Sequence, residues 1–142
     1  FYIERGLECW GVDISEDMLK LAAEKANAVP SPNGDLAKRG MARLGTGDVR
    51  KLPHESQSVD AAVMIRLTRW LEDPQDFAAA FRELQRVTRK RIIFTVRVRN
   101  HPHARSYEQI KSVLDGWHIA RDEAGYEPDY RIVALEPIPP GC

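Results

Sequence analysis

Two short segments constrain this chain more than any other feature: Gly11-Val12-Asp13-Ile14-Ser15 and Gly47-Asp48-Val49. Asp13 ends a short apolar segment that starts at Cys9, and Ser15 directly after it is placed to open a helix. An acid at a strand exit beside a helix start belongs to an α/β sheet. In such sheets the exits line a crevice that binds ligands, and a carboxylate there accepts hydrogen bonds from both hydroxyls of a ribose. Asp48 stands at the next strand-to-loop exit, where it would meet the other end of the same nucleoside. Leu52-Pro53 and Ser58-Val59-Asp60 follow in the same register.

The rest of the chain reads as an alternation of strands and helices. Glu16 to Asn27 is predicted helical, capped by Ser15, with Met18, Leu21, Ala22 and Ala26 on one face and Met18 in the core. Ala28 to Gly40 carries Pro30, Pro32, Gly34 and Gly40 and reads as a loop; Met41 to Leu44 is a short strand. Val59 to Ile65 is nearly all apolar, the pattern of a strand buried on both faces of a parallel sheet. Asp73 caps the clearest helix, Pro74 suits its first position, and Asp76 favours its positive end. Phe77, Ala80, Phe81, Leu84 and Val87 then recur at helical spacing as a core-facing stripe. Ile92 to Val96 is rich in β-branched residues and reads as a strand. Ser106 to Leu114 is a helix stopped by Gly116. Trp117 to Ala120 and Tyr130 to Leu135 form a closing hairpin that adds an antiparallel edge strand. The alternation implies a parallel sheet with right-handed crossovers.

This register resembles the class I S-adenosylmethionine-dependent methyltransferases, particularly the small-molecule type, in which a G-x-D-x-S segment is followed by G-D and L-P elements. The likeness runs from about Arg5 to Glu136 and weakens after Val98. It implies a Rossmann-like three-layer α/β sandwich, with a mostly parallel sheet and a C-terminal antiparallel hairpin. It also implies S-adenosylmethionine as cofactor and methyl transfer to a small-molecule acceptor. By the same resemblance, Asp13 binds the ribose hydroxyls and Ile14 packs on the adenine. Asp48 receives the adenine amino group, and the Val49 amide meets a ring nitrogen. Arg66 stands at the strand exit beside the methionine end of the cofactor and the acceptor, where its guanidinium would hold a carboxylate or phosphate. Trp70 would wall that pocket.

The front departs from the family pattern. No strand with a glycine-rich loop precedes Asp13, and Phe1-Tyr2-Ile3-Glu4-Arg5-Gly6-Leu7 reads as the tail of the helix that follows such a loop. Residues 1–142 are therefore expected to be a single methyltransferase-like domain that lacks its first strand, marginally stable by itself. A second copy or a preceding segment would complete the sheet. Two readings follow: an enzyme, or a non-catalytic remnant or partner-dependent module that keeps the fold. An NAD-binding half-domain would also use Asp13, but it has no use for Gly47-Asp48 or the terminal hairpin.

The 142 residues are enough for one domain with a real core. Formal net charge is zero, so no global field draws the chain to nucleic acid or membrane. Cys9 and Cys142 make no disulfide framework, as suits a reducing cytoplasm. No apolar run approaches the roughly 20 residues of a membrane span. From Arg82 to Arg105 the chain is strongly basic, with Glu83 the acid that opposes it. That run leaves an RNA methyltransferase as a further alternative, but it lacks the interleaved aromatics of a single-strand platform, so a nucleic-acid partner is not expected. His101 and His103 have no Cys or acidic neighbour at ligand spacing, so no metal site is expected. Asp13 and Asp48 also have plain readings as capping residues, Asp48 with Arg50 as a partner. Asp60 reads as a structural acid, and Arg66, Arg69 and Trp70 as two solvated arginines and a core tryptophan. No catalytic base stands out. Methyl transfer from an activated sulfonium relies mainly on positioning, so its absence weighs little.

Overall fold

The computed structural model describes residues 2–30, 40 and 42–141. Much of the expected loop from Ala28 to Gly40, and Met41 of the expected strand, lie outside the described residues. The chain divides into two compact units, Phe1–Val49 and Arg50–Cys142.

In the first unit, strand β1 (Cys9–Asp13) leads into helix α1 (Glu16–Asn27) and then strand β2 (Ala42–Thr46). The strands pair in parallel, with Gly11 opposite Leu44 and Asp13 opposite Thr46. Ser15 caps α1 as expected, its Oγ accepting the Met18 N–H at 3.3 Å. Gly40 donates its N–H to the Ile3 carbonyl at 2.8 Å. A Cβ there would lie 1.9 Å from the Leu7 carbonyl oxygen, so the chain can pass this point only as glycine. The expectation that Met18 is core does not hold. It is 53% exposed, and α1 buries none of its side chains. A two-stranded sheet covers little of an amphipathic helix, and Ile3 is the buried apolar residue of this unit among those described.

The second unit holds the core. It contains strand β3 (Val59–Met64), helix α2 (Pro74–Val87), strand β4 (Thr88–Arg97), helix α3 (Tyr107–Lys111), and strands β5 (Trp117–Ala124) and β6 (Tyr130–Pro137). The sheet order is β3-β4-β6-β5. β3 and β4 are parallel, while β6 runs antiparallel to both β4 and β5.

α2 forms for the reasons its sequence shows. Asp73 accepts the Gln75 N–H at 2.6 Å, and Pro74 occupies the first turn. Phe77, Ala80, Phe81, Leu84 and Val87 are all buried. Phe81 meets Phe94 of β4 edge to face at 4.9 Å, a favoured aromatic geometry. Burying side chains of this size contributes about 1.5–3 kcal/mol each. Gln85 is buried too, and hydrogen-bonded throughout. Its Nε2 donates to the Phe81 carbonyl at 2.8 Å and the Val113 carbonyl at 2.9 Å, and its Oε1 accepts the Asp115 N–H at 2.8 Å. A buried amide with this many partners ties α2 to the segment after α3 without a desolvation penalty left over.

Two expectations are corrected in this unit. β3 is not buried on both faces: Val63 is 43% exposed and Met64 is its buried residue. It lies at one edge of the four-stranded sheet, where an apolar run has a neighbour on one side. The antiparallel strand of the hairpin is not at the edge either. β6, with Ile132-Val133-Ala134-Leu135, inserts between β4 and β5. The more polar β5, with His118, Arg121, Asp122 and Glu123, takes the edge. The strand with more apolar area goes where both neighbours cover it.

The Glu83 carboxylate accepts from Arg86 Nη2 at 2.7 Å and from the Leu52 N–H at 2.8 Å. The Arg86 bond first, then the Leu52 amide, hold its pKa below the ordinary 4.5, against the opposing effect of burial. A depressed carboxyl adds stability that is present above its unfolded pKa and lost as pH falls through the folded value. Glu83→Gln should therefore be less stable than the parent at pH 7, with the gap closing by pH 3 in urea titrations. Hydrogen exchange should also rank the elements. Amides of β4 and β6, whose Ile92, Phe94, Val133 and Leu135 are fully buried, should exchange at least about tenfold more slowly than those of β1 and β2. Equal protection of the two sheets would refute this.

Candidate functional site

The first unit brings together the acids singled out in the sequence. In the parallel β1–β2 pair both strands exit at the same end. Asp13 Oδ1 accepts the Ser15 N–H at 2.8 Å, and the Asp13 carbonyl accepts the Gly47 N–H at 3.0 Å. Gly47, and with it Asp48, is thereby held against the exit of β1. Asp13, Asp48 and Val49 are half-buried, whereas Ile14 is 74% exposed. An apolar side chain this exposed beside a carboxylate fits the flat face of a base next to a ribose. The Ser15 amide orients one carboxylate oxygen of Asp13, leaving the other for a ligand hydroxyl. The residues present therefore fit the nucleoside end of the expected cofactor.

Arg66 and Trp70 lie in the second unit, where the exits of β3 and β4 share one edge of the sheet. Arg66 has a left-handed backbone, φ 60°, held by its N–H bond to Thr95 Oγ1 at 2.8 Å. Thr68 Oγ1 donates to the Thr95 carbonyl at 3.0 Å. The Arg66 guanidinium lies 5.9 Å from the centre of the Tyr126 ring. Trp70 is not core: it is 68% exposed, with Arg69 over its ring at 4.7 Å.

The segment after β4 folds back onto this edge. The Arg105 N–H donates to the Arg97 carbonyl at 2.7 Å. Its buried guanidinium donates to the carbonyls of Leu71 and Glu72 and lies over the Phe77 ring at 5.1 Å. Its buried Nε has no hydrogen-bond partner. His103 Nδ1 sits 3.2 Å from Glu72 Oε1, and His101 Nδ1 accepts the His103 N–H at 3.1 Å. Burial first, then the charges of Arg97, His103 and Arg69, push His101 below its ordinary pKa, with Glu127 opposing. Sequence spacing missed the acidic partner of His103, because Glu72 reaches it across the fold. Among the described residues no three His, Cys, Asp or Glu side chains are grouped to hold a metal ion.

The basic run is paired in the same way. Asp60 binds Lys90 at 3.0 Å and Arg89 at 3.4 Å, Glu127 binds Arg97 at 2.7 Å, Asp129 binds Arg99 at 3.2 Å, and Glu136 binds Arg91. The charge count along the chain saw Glu83 alone. Asp60 is a structural acid, its pKa lowered first by its bond to Lys90. Arg50 bonds Asp76 at 3.0 Å.

A family model described as a methyltransferase domain matches residues 1–95. The chain belongs to that family, and the resemblance to the class I S-adenosylmethionine-dependent enzymes holds. Among curated protein sequences none matches the chain. Solved structures do. The PH0226 protein from Pyrococcus horikoshii is 19% identical with a TM-score of 0.72, over 93% of this chain and 72% of its own. A SAM-dependent methyltransferase from Methanosarcina mazei is 14% identical with a TM-score of 0.70, over 95% of this chain and 84% of its own. Magnesium protoporphyrin IX methyltransferase from Synechocystis, with bound SAM, is 20% identical with a TM-score of 0.70, over 90% of this chain and 58% of its own. These likenesses show a shared Rossmann-like α/β fold. Among the described residues no helix is long and apolar enough to cross a membrane.

Arg105 is the staple between the two exit segments. Arg105→Met keeps most of the packing on Phe77 and leaves two backbone carbonyls without their donor. It should lower the unfolding free energy by about 2–3 kcal/mol, read from the urea midpoint at unchanged slope. A shift within about 0.5 kcal/mol would remove the staple role.

Proposed function

We propose that this chain binds S-adenosylmethionine and takes part in methyl transfer to a small-molecule acceptor. The observation that carries the reading is the meeting of Asp13 and Gly47-Asp48 at one pair of strand exits, tied by the Gly47 N–H bond to the Asp13 carbonyl at 3.0 Å. Asp13 would accept from the ribose hydroxyls with the carboxylate oxygen that Ser15 leaves open. Ile14 would cover one face of the adenine, which accounts for its 74% exposure. Asp48 and the Val49 amide would read the adenine edge, as acceptor and donor. In the second unit, Arg66 is proposed to hold a carboxylate or phosphate and Trp70 to wall its pocket, as the resemblance implies. When bound, the cofactor supplies a methyl group on a sulfonium, already activated for displacement. The residues of the chain then need to align the acceptor and exclude water, a contribution that positioning alone makes large.

The test is calorimetric titration with S-adenosylhomocysteine. Saturable binding is expected for the parent chain, with affinity at least about tenfold weaker in Asp13→Ala, the loss of a hydrogen-bonded charge worth about 1.5–3 kcal/mol. Absence of binding by a chain shown to be folded would instead support a domain that keeps the fold without the cofactor.

A further inference from the structure

We propose that Arg66 and Tyr126 form a binding site for an aromatic monocarboxylate, with the guanidinium on the carboxylate and the tyrosine against the ligand ring. The site deepens, and rests on, the role given to Arg66 above. Every residue in it belongs to the second unit.

Its first support is a backbone conformation that the fold leaves uncompensated. Among the described residues three that are not glycine have positive φ: Gln57 at 55°, Arg66 at 60° and Asn100 at 55°. A side chain in the left-handed region costs stability, and such residues persist where their surroundings or their function require them. Gln57 and Asn100 put their side chains to use. Gln57 Nε2 donates to the Thr88 carbonyl at 2.9 Å, and Asn100 Nδ2 donates to Asp129 Oδ1 at 3.1 Å. Arg66 differs. Its bond to Thr95 comes from the backbone N–H, which glycine would donate equally well. Among the described residues its guanidinium has no hydrogen-bond acceptor and no acidic partner, and the group it meets is the Tyr126 ring at 5.9 Å. The neighbouring cations are engaged: Arg97 with Glu127, Arg99 with Asp129, and Arg105 with two carbonyls. A free positive charge therefore stands at a position where glycine would be more stable.

The second support is the ring beside it. Tyr126 lies in the turn between β5 and β6, and that turn is pinned from several sides. The Gly125 N–H donates to the Tyr130 carbonyl at 2.8 Å, the Tyr130 N–H to the Glu127 carbonyl at 3.0 Å, and the Val98 N–H to the Asp129 carbonyl at 3.1 Å. A Cβ on Gly125 would lie 2.8 Å from the Tyr130 Cβ, so the turn closes this tightly only with glycine. Tyr126 stacks on the buried Tyr130 with centroids 5.3 Å apart, yet it is 62% exposed. One face is covered and the remainder is open, which makes the ring a fixed platform for another aromatic group.

Charge selects the ligand. A planar guanidinium binds a carboxylate or a phosphate through two parallel hydrogen bonds. A dianionic phosphate needs a second free cation, and Arg97, next along this stack at 4.6 Å from the Tyr130 ring, is already bound to Glu127 at 2.7 Å. One free guanidinium beside one open ring matches a single negative charge on an aromatic group.

The test titrates benzoate, acetate and inorganic phosphate into the full 15N-labelled chain, followed by NMR of the Arg66 Nε–H and the Tyr126 amide. Benzoate should shift both saturably and bind at least about fivefold more tightly than acetate, which lacks the ring, or phosphate. Arg66→Gly and Arg66→Asn both suit a left-handed backbone. Each should weaken benzoate at least about tenfold, with a urea midpoint no lower than the parent's. Tyr126→Leu should weaken benzoate about fivefold and acetate by less than about twofold. The proposal is overturned by the absence of a saturable benzoate shift up to about 20 mM, or by phosphate binding as tightly as benzoate. Binding of benzoate by both Arg66 variants within about twofold of the parent overturns it as well. So does a lowered midpoint in both, because the arginine would then serve the fold. S-adenosylhomocysteine is titrated separately. Benzoate binding by a chain that does not bind it supports this site and sinks the cofactor reading, whereas the converse overturns this site alone.

Discussion

The burial of strand β4 against helix α2 is the contact on which the second unit depends. Ile92, Phe94 and Val96 of β4 are fully buried, and Phe81 of α2 meets Phe94 edge to face. β4 has β3 on one side and β6 on the other, so its position sets the register of both. The same strand ends where the candidate chemistry lies. Thr95 accepts from Arg66 and Thr68, and the Arg97 carbonyl receives the Arg105 amide. A side-chain hydroxyl and two carbonyls of β4 thus fix both exit segments, and a shift of β4 by one residue would misplace them together.

Electrostatics follow the same geometry. The cations between Arg82 and Arg105 look uncompensated along the chain, yet four acids from other segments, Asp60, Glu127, Asp129 and Glu136, meet five of them. Neighbouring strands bring residues far apart in sequence to within ion-pair distance, which converts a basic run into a set of local pairs. Most of these pairs are open to solvent and add little stability each. Their effect is on the field, which is weaker than the linear charge count implies.

The methyltransferase register was legible because the residues that carry it are local. Asp13, Ser15 and Gly47-Asp48 announce strand exits within a few residues, and the parallel pairing of β1 with β2 brings those exits together. Helix α2 was legible for a similar reason, with its cap, its first-turn proline and its apolar stripe all within one segment. Met18 and β3 were misread. An apolar residue predicts burial only if something covers it, and α1 packs on a two-stranded sheet while β3 lies at an edge. Trp70 was read both as core and as a pocket wall, and its exposure rules out the first.

The sequence by itself determined the class of fold, the family, and the acids placed at the strand exits, because periodicity, caps and short motifs act over a turn of helix or a few strand residues. Only the tertiary structure decided the insertion of β6 between β4 and β5. There the competition is between two strands for one buried place, and the more apolar strand takes it. Only the tertiary structure, too, paired His103 with Glu72 and placed Arg105 behind them. Those contacts join segments 31 to 34 residues apart, and no local pattern encodes a partner that arrives through the crossover from β3 by α2 to β4.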